Sequence, residues 1–455
     1  MDLVQRLATA FAQHGKRLYL VGGSVRDELL GRPVKDLDFA TDARPEEIKA
    51  ILQSLHPDAL YTVGEKFGTI GAVFGDRRLE ITTFRAEQYE PYSRKPRVTF
   101  GTTLEGDLAR RDFTINAIAR DVLTGELHDP FGGLEDLRAR RIRAVGNPDE
   151  RFREDPLRLL RAIRLAVELG FDLEPETAAA IRRNAALIQY ISVERIAEEL
   201  NRILLSPQPA RGIRLLDDLG LLDHVLPEVA ALKTVAPEKR RMKNVFEHTL
   251  RVVERTPPDL ILRWAALLHD IGKPRTLTVT DGEVSFPGHE RVGEEMARQI
   301  LARLHYDSET IEHVARLVGL HMRANQYSPE WTDGAVRRLI RDADADLERL
   351  LQLSRADVTS YRPARVAEAA RRVEDLAARC RALLEQENIK ALKSPLDGYE
   401  LMALFNRPPG RWIGELKEYL LNQVIEGHLA PDDKERAAEL ARRYVEEHQI
   451  LPTPF

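Results

Sequence analysis

Two periodicities divide this chain. Between residue 18 and about residue 145, short apolar runs bounded by turn residues recur at Leu18–Val21, Asp36–Ala40, Thr69–Phe74, Arg78–Phe84 and Ile115–Asp121. Runs of this length and composition predict β-strands separated by turns and short helices. In Asp36-Leu-Asp-Phe39 and Arg78-Leu-Glu-Ile81 charged and apolar residues alternate, so each strand presents one packed and one open face. After Pro148 the repeat becomes helical and rich in Ala, Leu, Arg and Glu, with Pro and Gly at the breaks. These breaks fall at Gly146-Asn-Pro-Asp149, Ser206-Pro-Gln-Pro209, Val235-Ala-Pro-Glu238, Ala364 and Asn406-Arg-Pro-Pro-Gly410. The expected architecture is an α/β head with a small mixed sheet over 1–145, then an all-α neck (146–206), body (207–364) and tail (365–455).

At 455 residues the chain exceeds one typical domain. Its 68 basic and 73 acidic residues leave a formal charge of -5, so any nucleic-acid role rests on local basic clusters rather than on overall charge. Cys380 is the single cysteine, which excludes an intramolecular disulfide and a Cys-rich metal site and suits a reducing cytoplasm. No apolar run reaches the roughly 18 residues that span a bilayer, and Met1 to Lys16 lacks the apolar core of a signal peptide. A soluble, cytoplasmic protein with no membrane partner is expected.

The chemistry concentrates early. After the apolar run Leu18–Val21, Gly22-Gly23 permits close backbone approach, and Ser24 is placed to cap a helix whose first N–H groups face an anion. Asp36 and Asp38, two apart on a strand, project together while Leu37 and Phe39 pack. Paired carboxylates of this kind suit one or two Mg2+ ions shared with substrate phosphates. Glu80, between Leu79 and Ile81, fits either a third carboxylate of that site or a solvated strand position. Arg110 and Arg111 bring phosphate-binding charge, with Asp112, Thr114 and Asn116 nearby; a surface ion-pair cluster has the same composition. On a helix beginning near Arg153, Asp155, Arg158, Arg161 and Arg164 recur every third residue and share a face. That row fits the hydrogen-bonding edge of a base and equally a run of i,i+3 ion pairs.

Three ordered motifs, Gly22-Gly-Ser-Val-Arg-Asp27 with Asp36-Leu-Asp38, Arg110-Arg-Asp-Phe-Thr-Ile-Asn-Ala117 and Glu154-Asp-Pro-Leu-Arg158, give residues 15–205 a resemblance to class II tRNA nucleotidyltransferases of the polymerase β superfamily. The resemblance implies that Asp36 and Asp38 bind catalytic Mg2+, with Glu80 as third carboxylate. It implies that Gly23, Arg26 and Arg111 hold the triphosphate and ribose, and that Asp155 and Arg158, supported by Arg161 and Arg164, read the base of CTP or ATP. The implied activity is addition of CCA to tRNA 3′ ends with the protein as template. An A-adding partial enzyme, a poly(A) polymerase, and an HD hydrolase with an inactive head are the alternatives. In this family the segment matching Arg85–Leu108, with Tyr89, Tyr92, Arg94, Lys95, Pro96 and Arg97, switches the pocket from C to A. Its length here matches a complete CCA-adding enzyme, although Ser93 replaces the acidic residue of the loop pattern.

A second constellation comprises Glu247-His248, Leu267-Leu-His-Asp-Ile-Gly-Lys273, His289, His321 and Asp357. Adjacent His269-Asp270 at the end of an apolar helix is unsuited to core packing and suited to a metal. The pattern resembles HD-domain phosphohydrolases. The resemblance implies that His248, His269, Asp270 and Asp357 hold a divalent metal, its identity open, for phosphatase or cyclic phosphodiesterase chemistry on RNA ends; an HD fold retained as scaffold is the alternative. The segments Leu396-Asp-Gly-Tyr-Glu-Leu-Met402 and Pro408-Pro-Gly-Arg-Trp-Ile-Gly-Glu-Leu-Lys417 resemble the tail of the same nucleotidyltransferases, with Arg407, Arg411 and Lys417 as candidate contacts to the tRNA backbone. The oligomeric state is left open.

Overall fold

A computed structural model describes residues 2–88, 97–101, 103–235, 244–358, 362–386 and 391–450. They form two compact units, Met1–Ala230 and Ala231–Phe455.

The head of the first unit is built on nine strands among the described residues: β1 (Leu18–Val21), β2 (Asp36–Thr41), β3 (Ala59–Tyr61), β4 (Thr69–Phe74), β5 (Arg77–Thr83), β6 (Arg85–Gln88), β7 (Arg97–Phe100), β8 (Ala119–Asp121) and β9 (Leu127–His128). Seven of them form one mixed sheet in the order β3-β4-β5-β2-β1-β8-β9. Only the β2–β5 pair is parallel; the other neighbours are antiparallel. The alternation in β2 and β5 works as its pattern requires, with Leu37, Phe39, Leu79 and Ile81 buried and Asp36, Asp38 and Glu80 exposed. Ile48, Ile51 and Leu52 of the helix Pro45–Ser54 are also buried, and that helix packs on β4 and β5. Each such fully buried side chain stabilises the layer by about 1.5–3 kcal/mol, so this face fixes the register of the other.

Two local expectations change. Ile115–Asp121 is strand only from Ala119; Thr114–Asn116 forms a 3₁₀ turn in which the Ala117 N–H donates to the Thr114 carbonyl. Strand β3, which has no strong alternation, exists through its pairing with β4. The segment Arg85–Leu108, without periodicity in sequence, contains the paired strands β6 and β7; Tyr89, Tyr92, Ser93, Arg94, Lys95 and Pro96 lie outside the described residues. After Pro148 the unit is helical apart from the two-residue strand Asp172–Leu173, which pairs in parallel with Arg141–Ile142.

The second unit is helical except for the hairpin Thr278–Thr280/Glu283–Ser285. Helices Val245–Arg255, Leu260–Leu268, His289–Arg303, Ser308–Asn325 and Leu347–Ala356 enclose a histidine cluster. Towards the C-terminus, Leu401, Trp412, Leu416, Leu420 and Leu440 form a separate core among helices Gly398–Phe405, Arg411–Ile425 and Lys434–His448.

Candidate active sites of the two units

On the open face of the head sheet, Asp38 is the register partner of Glu80 and Asp36 that of Arg78. Ser24 holds the edge of this arrangement: its hydroxyl accepts from the Asp38 N–H (2.9 Å) and donates to the Asp36 carbonyl (3.1 Å). The expected capping role of Ser24 is therefore replaced by a clamp on β2, and Gly22, at φ 66°, occupies the N-cap position. Asp38 is reachable by solvent yet set in a cleft. Desolvation there, and then the Glu80 carboxylate, raise its pKa to about 6, with Asp36 adding to the effect and Arg111 opposing it. Asp36, Asp38 and Glu80 share one rigid face, and an all-oxygen donor set of this kind suits a hard divalent cation.

Beside Asp38 opens a cavity of about 350 Å³ lined by Gly22, Gly23 and a set of arginines. Arg26, Arg110, Arg111, Arg158, Arg161 and Arg164 all reach it. Gly22, at φ 66°, holds a backbone conformation that favours glycine, and a Cβ there or at Gly23 would stand 3.1 Å from the Arg111 guanidinium and 3.3 Å from that of Arg26, so either guanidinium would have to shift by a few tenths of an ångström. Two buried carboxylates organise the arginines. Asp107 takes Arg110 Nε and Arg111 Nη2 at 3.2 Å each. Asp112 takes Arg161 at 2.8 Å and Asn116 at 3.1 Å, and Asn116 in turn accepts from Arg26 at 2.8 Å. Burial alone would raise the Asp112 pKa, but Arg161 and Arg158 together hold it below the usual carboxylate range.

The neck departs from the single helical face expected. Pro156 biases the preceding residue away from the helical region, and Asp155 is extended (φ -139°, ψ 99°) between helices Pro148–Glu154 and Leu157–Leu169. Arg158, Arg161 and Arg164 remain on the second helix and line the cavity. Asp155 does not line it and pairs with Arg195 at 3.1 Å. Arg158 is buried, donating to Glu154 (2.8 Å) and the Arg110 carbonyl (3.0 Å), and Arg164 bonds Glu199 at 2.5 Å.

Sequence reasoning gave no role to Asp107, although its i,i+3 and i,i+4 spacing to Arg110 and Arg111 carries that signal. Arg195, Glu199 and Arg202, the last also lining the cavity, come from helix Val193–Leu205 and have no local signal.

In the second unit the metal-type residues form two triads. The ligand atoms of His248, His269 and Asp357 lie within 4.8 Å of one another, as do those of Asp270, His289 and His321. Asp270 faces both groups. Its Oδ2 lies 3.2 Å from His269 and 3.6 Å from His248, and its Oδ1 lies 3.3 Å from His289 and 3.7 Å from His321. His269, His289 and His321 each place Nδ1 on a backbone carbonyl, of Ala266, Phe286 and Val318 at 2.6, 3.0 and 2.6 Å. Donation from Nδ1 to these carbonyls turns each Nε2 towards the cluster, the atom through which a histidine so held binds a metal. The Nε2 atoms of His248 and His269, and those of His289 and His321, face each other at 3.3 Å, an arrangement that a shared cation relieves. Burial opposes charge on His269, but Asp270 and Asp357 hold its pKa well above the ordinary value. Against the same burial, His269 holds Asp270 and Asp357 low. Burial lowers the pKa of His248 despite Asp357. The expected four-residue set is thus gathered, and His289 and His321 join it through Asp270. The glycine of His-Asp-Ile-Gly has a steric reason: a Cβ on Gly272 would lie 2.3 Å from the His289 carbonyl oxygen.

Of the tail candidates, Lys417 lines a groove of about 970 Å³ with Arg338, Arg341 and Lys393, whereas Arg407 and Arg411 do not. No helix of the described residues is long and apolar enough to cross a membrane.

Residues 18–143 match the poly A polymerase head domain, residues 170–233 the probable RNA and SrmB-binding site of polymerase A, and residues 242–362 the HD domain. The CCA-adding enzyme of Geobacillus stearothermophilus is 43% identical over 273 residues, 60% of this chain and 62% of that one. The CCA-adding enzyme of Anoxybacillus flavithermus is 34% identical across 94% of each chain. The A-adding tRNA nucleotidyltransferase of Deinococcus radiodurans is 36% identical across 94% of this chain and 95% of its own. Among solved structures, the Bacillus stearothermophilus CCA-adding enzyme in complex with CTP superposes with a TM-score of 0.69 at 31% identity, covering 99% of both chains. Fold and carboxylate face together define a nucleotidyltransferase head joined to an HD unit. The chain belongs to the tRNA nucleotidyltransferase family of CCA-adding and A-adding enzymes.

Proposed function

We propose that this protein completes tRNA 3′ ends with CCA, taking CTP and ATP without a nucleic-acid template. The observation that carries the reading is the juxtaposition of Asp36, Asp38 and Glu80 on one sheet face with the arginine-lined cavity at Gly22-Gly23. Asp36, Asp38 and Glu80 would hold Mg2+, which supplies charge neutralisation at the α-phosphate and lowers the pKa of the attacking hydroxyl. Arg26 and Arg111 bind the triphosphate at the glycine turn, and Asp107 fixes the guanidinium of Arg111. Arg158 reads the base, with Arg161 and Arg164 beside it on the cavity wall, while Asp155 pairs with Arg195 outside the cavity. The acceptor 3′-hydroxyl gives up its proton and its oxygen bonds to the α-phosphorus, while the bond to the β-phosphate oxygen breaks and pyrophosphate leaves. The chain's own contribution is positioning and preorganised charge. In this reading the head (1–145) performs transfer and the neck (146–206) reads the nucleotide. The body (207–364) carries the HD site and the tail (365–455) tracks tRNA phosphates, in the cytoplasm where triphosphates and tRNA meet.

The A-adding relative makes nucleotide choice the point to test. The length of Arg85–Leu108 and the CTP-bound neighbour across 99% of the chain favour full CCA addition. The experiment is incubation with Mg2+ and tRNAs ending before CCA, after C or after CC, with CTP and ATP singly and together, followed by 3′-end sequencing. Addition of CCA and arrest is expected; A on the CC-ended tRNA alone overturns CCA addition in favour of A addition.

The bridging position of Asp270 favours a second reading for the HD unit: hydrolysis of phosphoesters at RNA ends by a pair of divalent metals, one held by His248, His269 and Asp357, the other by His289 and His321. Phosphate release from RNA ends that is lost in Asp270→Asn while CCA addition persists is the expected result.

A further inference from the structure

Around Asp357 the HD centre has a further layer of contacts. Asp357 follows helix Leu347–Ala356 as its C-cap, where a carboxylate opposes the negative end of the helix dipole and needs donors to hold it. One comes from a neighbouring helix. Asn325, the last residue of Ser308–Asn325, donates from Nδ2 to Asp357 Oδ2 at 2.5 Å. Ser354, 3% exposed, donates in turn to the Asn325 carbonyl oxygen at 2.6 Å. A serine within a helix commonly turns its hydroxyl to a carbonyl of its own preceding turn; here the proton goes to the helix packed against it. The spacing supports this exchange: His321 and Asn325 are four apart on one helix, and Ser354 and Asp357 are three apart along the other, so each pair shares a face. The helix that brings His321 to one group of ligands thus brings Asn325 to the other.

These bonds decide which oxygen of Asp357 is left for the centre. With Oδ2 on Asn325, Oδ1 is turned to the histidines, 2.8 Å from His248 Nε2 and 3.4 Å from His269 Nε2. Ser354 fixes the amide as well, because with the carbonyl oxygen on the hydroxyl it is the NH2 that faces the carboxylate. An amide is a neutral donor, so it orients Asp357 without cancelling the charge that draws a cation. Asp270, by contrast, has the Lys273 ammonium 2.9 Å from its Oδ2. We infer that Asn325, braced by Ser354, is a positioning residue of the HD centre, locking Asp357 so that Oδ1 joins His248 and His269 around a divalent cation. The inference rests on the metal reading of this unit and gives a task to two residues outside the His-Asp pattern. Removing an outer partner of a metal ligand lowers metal affinity by about 10- to 100-fold.

The test is calorimetric titration of the full-length, metal-free protein with Mn2+, with thermal melting to confirm that each metal-free variant is folded. Two backgrounds separate the ligand groups: His321→Ala keeps the one that contains Asp357, and Asp357→Ala keeps the other. In His321→Ala, adding Asn325→Ala should raise the Mn2+ dissociation constant about 10- to 100-fold. Ser354→Ala should act in the same direction, and the two together should be no worse than Asn325→Ala alone, since both act through one bond to Asp357. Ser354→Ala deletes a single oxygen and reads the same relay where Asn325→Ala disturbs the fold. In Asp357→Ala, adding Asn325→Ala should change the dissociation constant by less than about twofold, because the carboxylate it holds is gone. An affinity in the His321→Ala background that neither substitution moves, or an equal loss in both backgrounds, overturns the inference, since a packing defect would not distinguish the two groups. A wild type that takes up no Mn2+ defeats the metal reading itself and the inference with it, whereas a wild type that binds Mn2+ with variants indifferent to Asn325 defeats the inference alone.

Discussion

Glu80 and Asp38 face each other as register partners across the one parallel strand pair of the head sheet. Neither can turn away without moving Leu79, Ile81, Leu37 and Phe39 out of the core. The carboxylates are therefore held close at the expense of an Asp38 pKa raised by desolvation and by Glu80, a strain that a bound cation removes. Glu80→Gln should lower single-turnover CTP incorporation by about 10²–10³, the usual size of one lost charge-stabilising group, with CTP affinity nearly unchanged. Asp38→Asn should be at least as severe. Incorporation by Glu80→Gln within threefold of wild type would remove Glu80 from the site.

Asp107 is 1% exposed and grips both Arg110 and Arg111. Removing it leaves two guanidinium groups without their anchor while adding no new contact to substrate. Asp107→Ala should raise KM for CTP and ATP about 10- to 100-fold, as expected for a lost charge-assisted hydrogen-bond pair. The tRNA KM should hold. Steady-state kinetics with each substrate varied in turn separates the two; equal loss for both substrates would mean a collapsed head instead of a loosened triphosphate site.

What the sequence disclosed depended on the range of the interaction that carried it. Asp36 and Asp38 were legible because a period of two is a local property, and their packed partners Leu37 and Phe39 made the face unambiguous. His269-Asp270 was legible for a similar reason, polar ligands ending an apolar helix. The pairing of Glu80 with Asp38 needed the order of strands, which depends on contacts between segments some 40 residues apart. Asp155 was misplaced on a continuous helix because the i,i+3 spacing was weighted above the conformational restriction that Pro156 imposes. Strand β3, Glu199 and Arg202 left no local trace, since each is defined only by what it packs against.

Asp112 gives a pH-dependent stability. Burial opposes its charge, but Arg161 and Arg158 more than offset this, so its folded pKa lies below the unfolded value. A depressed carboxylate contributes stability that is present above the unfolded pKa, about 4, and is lost as pH falls through the folded value. Asp112→Asn should therefore cost about 1–3 kcal/mol at pH 7, and the gap to wild type should shrink as pH falls below 4. Urea unfolding of both proteins at pH 7, 5 and 3.5 measures this. A gap that is constant with pH would assign the loss to packing instead of charge.

The two triads of the HD unit should separate by metal stoichiometry. Because Asp270 offers one oxygen to each group, the wild type loaded with Mn2+ and freed of excess metal should retain two ions per chain by mass spectrometry. His321→Ala should keep one, since it removes a ligand of the second group only, and Asp270→Asn should keep fewer than one. Gly272→Ala reaches the same end without touching a ligand. Its Cβ would lie 2.3 Å from the His289 carbonyl oxygen and 2.8 Å from the Gly293 nitrogen, both backbone atoms that cannot rotate aside, so the start of helix His289–Arg303 must move and carry His289 with it. That variant should resemble His321→Ala in retaining a single ion. In all three variants CCA addition should stay within about twofold of wild type, because the carboxylates of transfer lie on the head sheet. A wild type that holds one ion, or a His321→Ala protein that still holds two, would reduce the HD centre to a single metal.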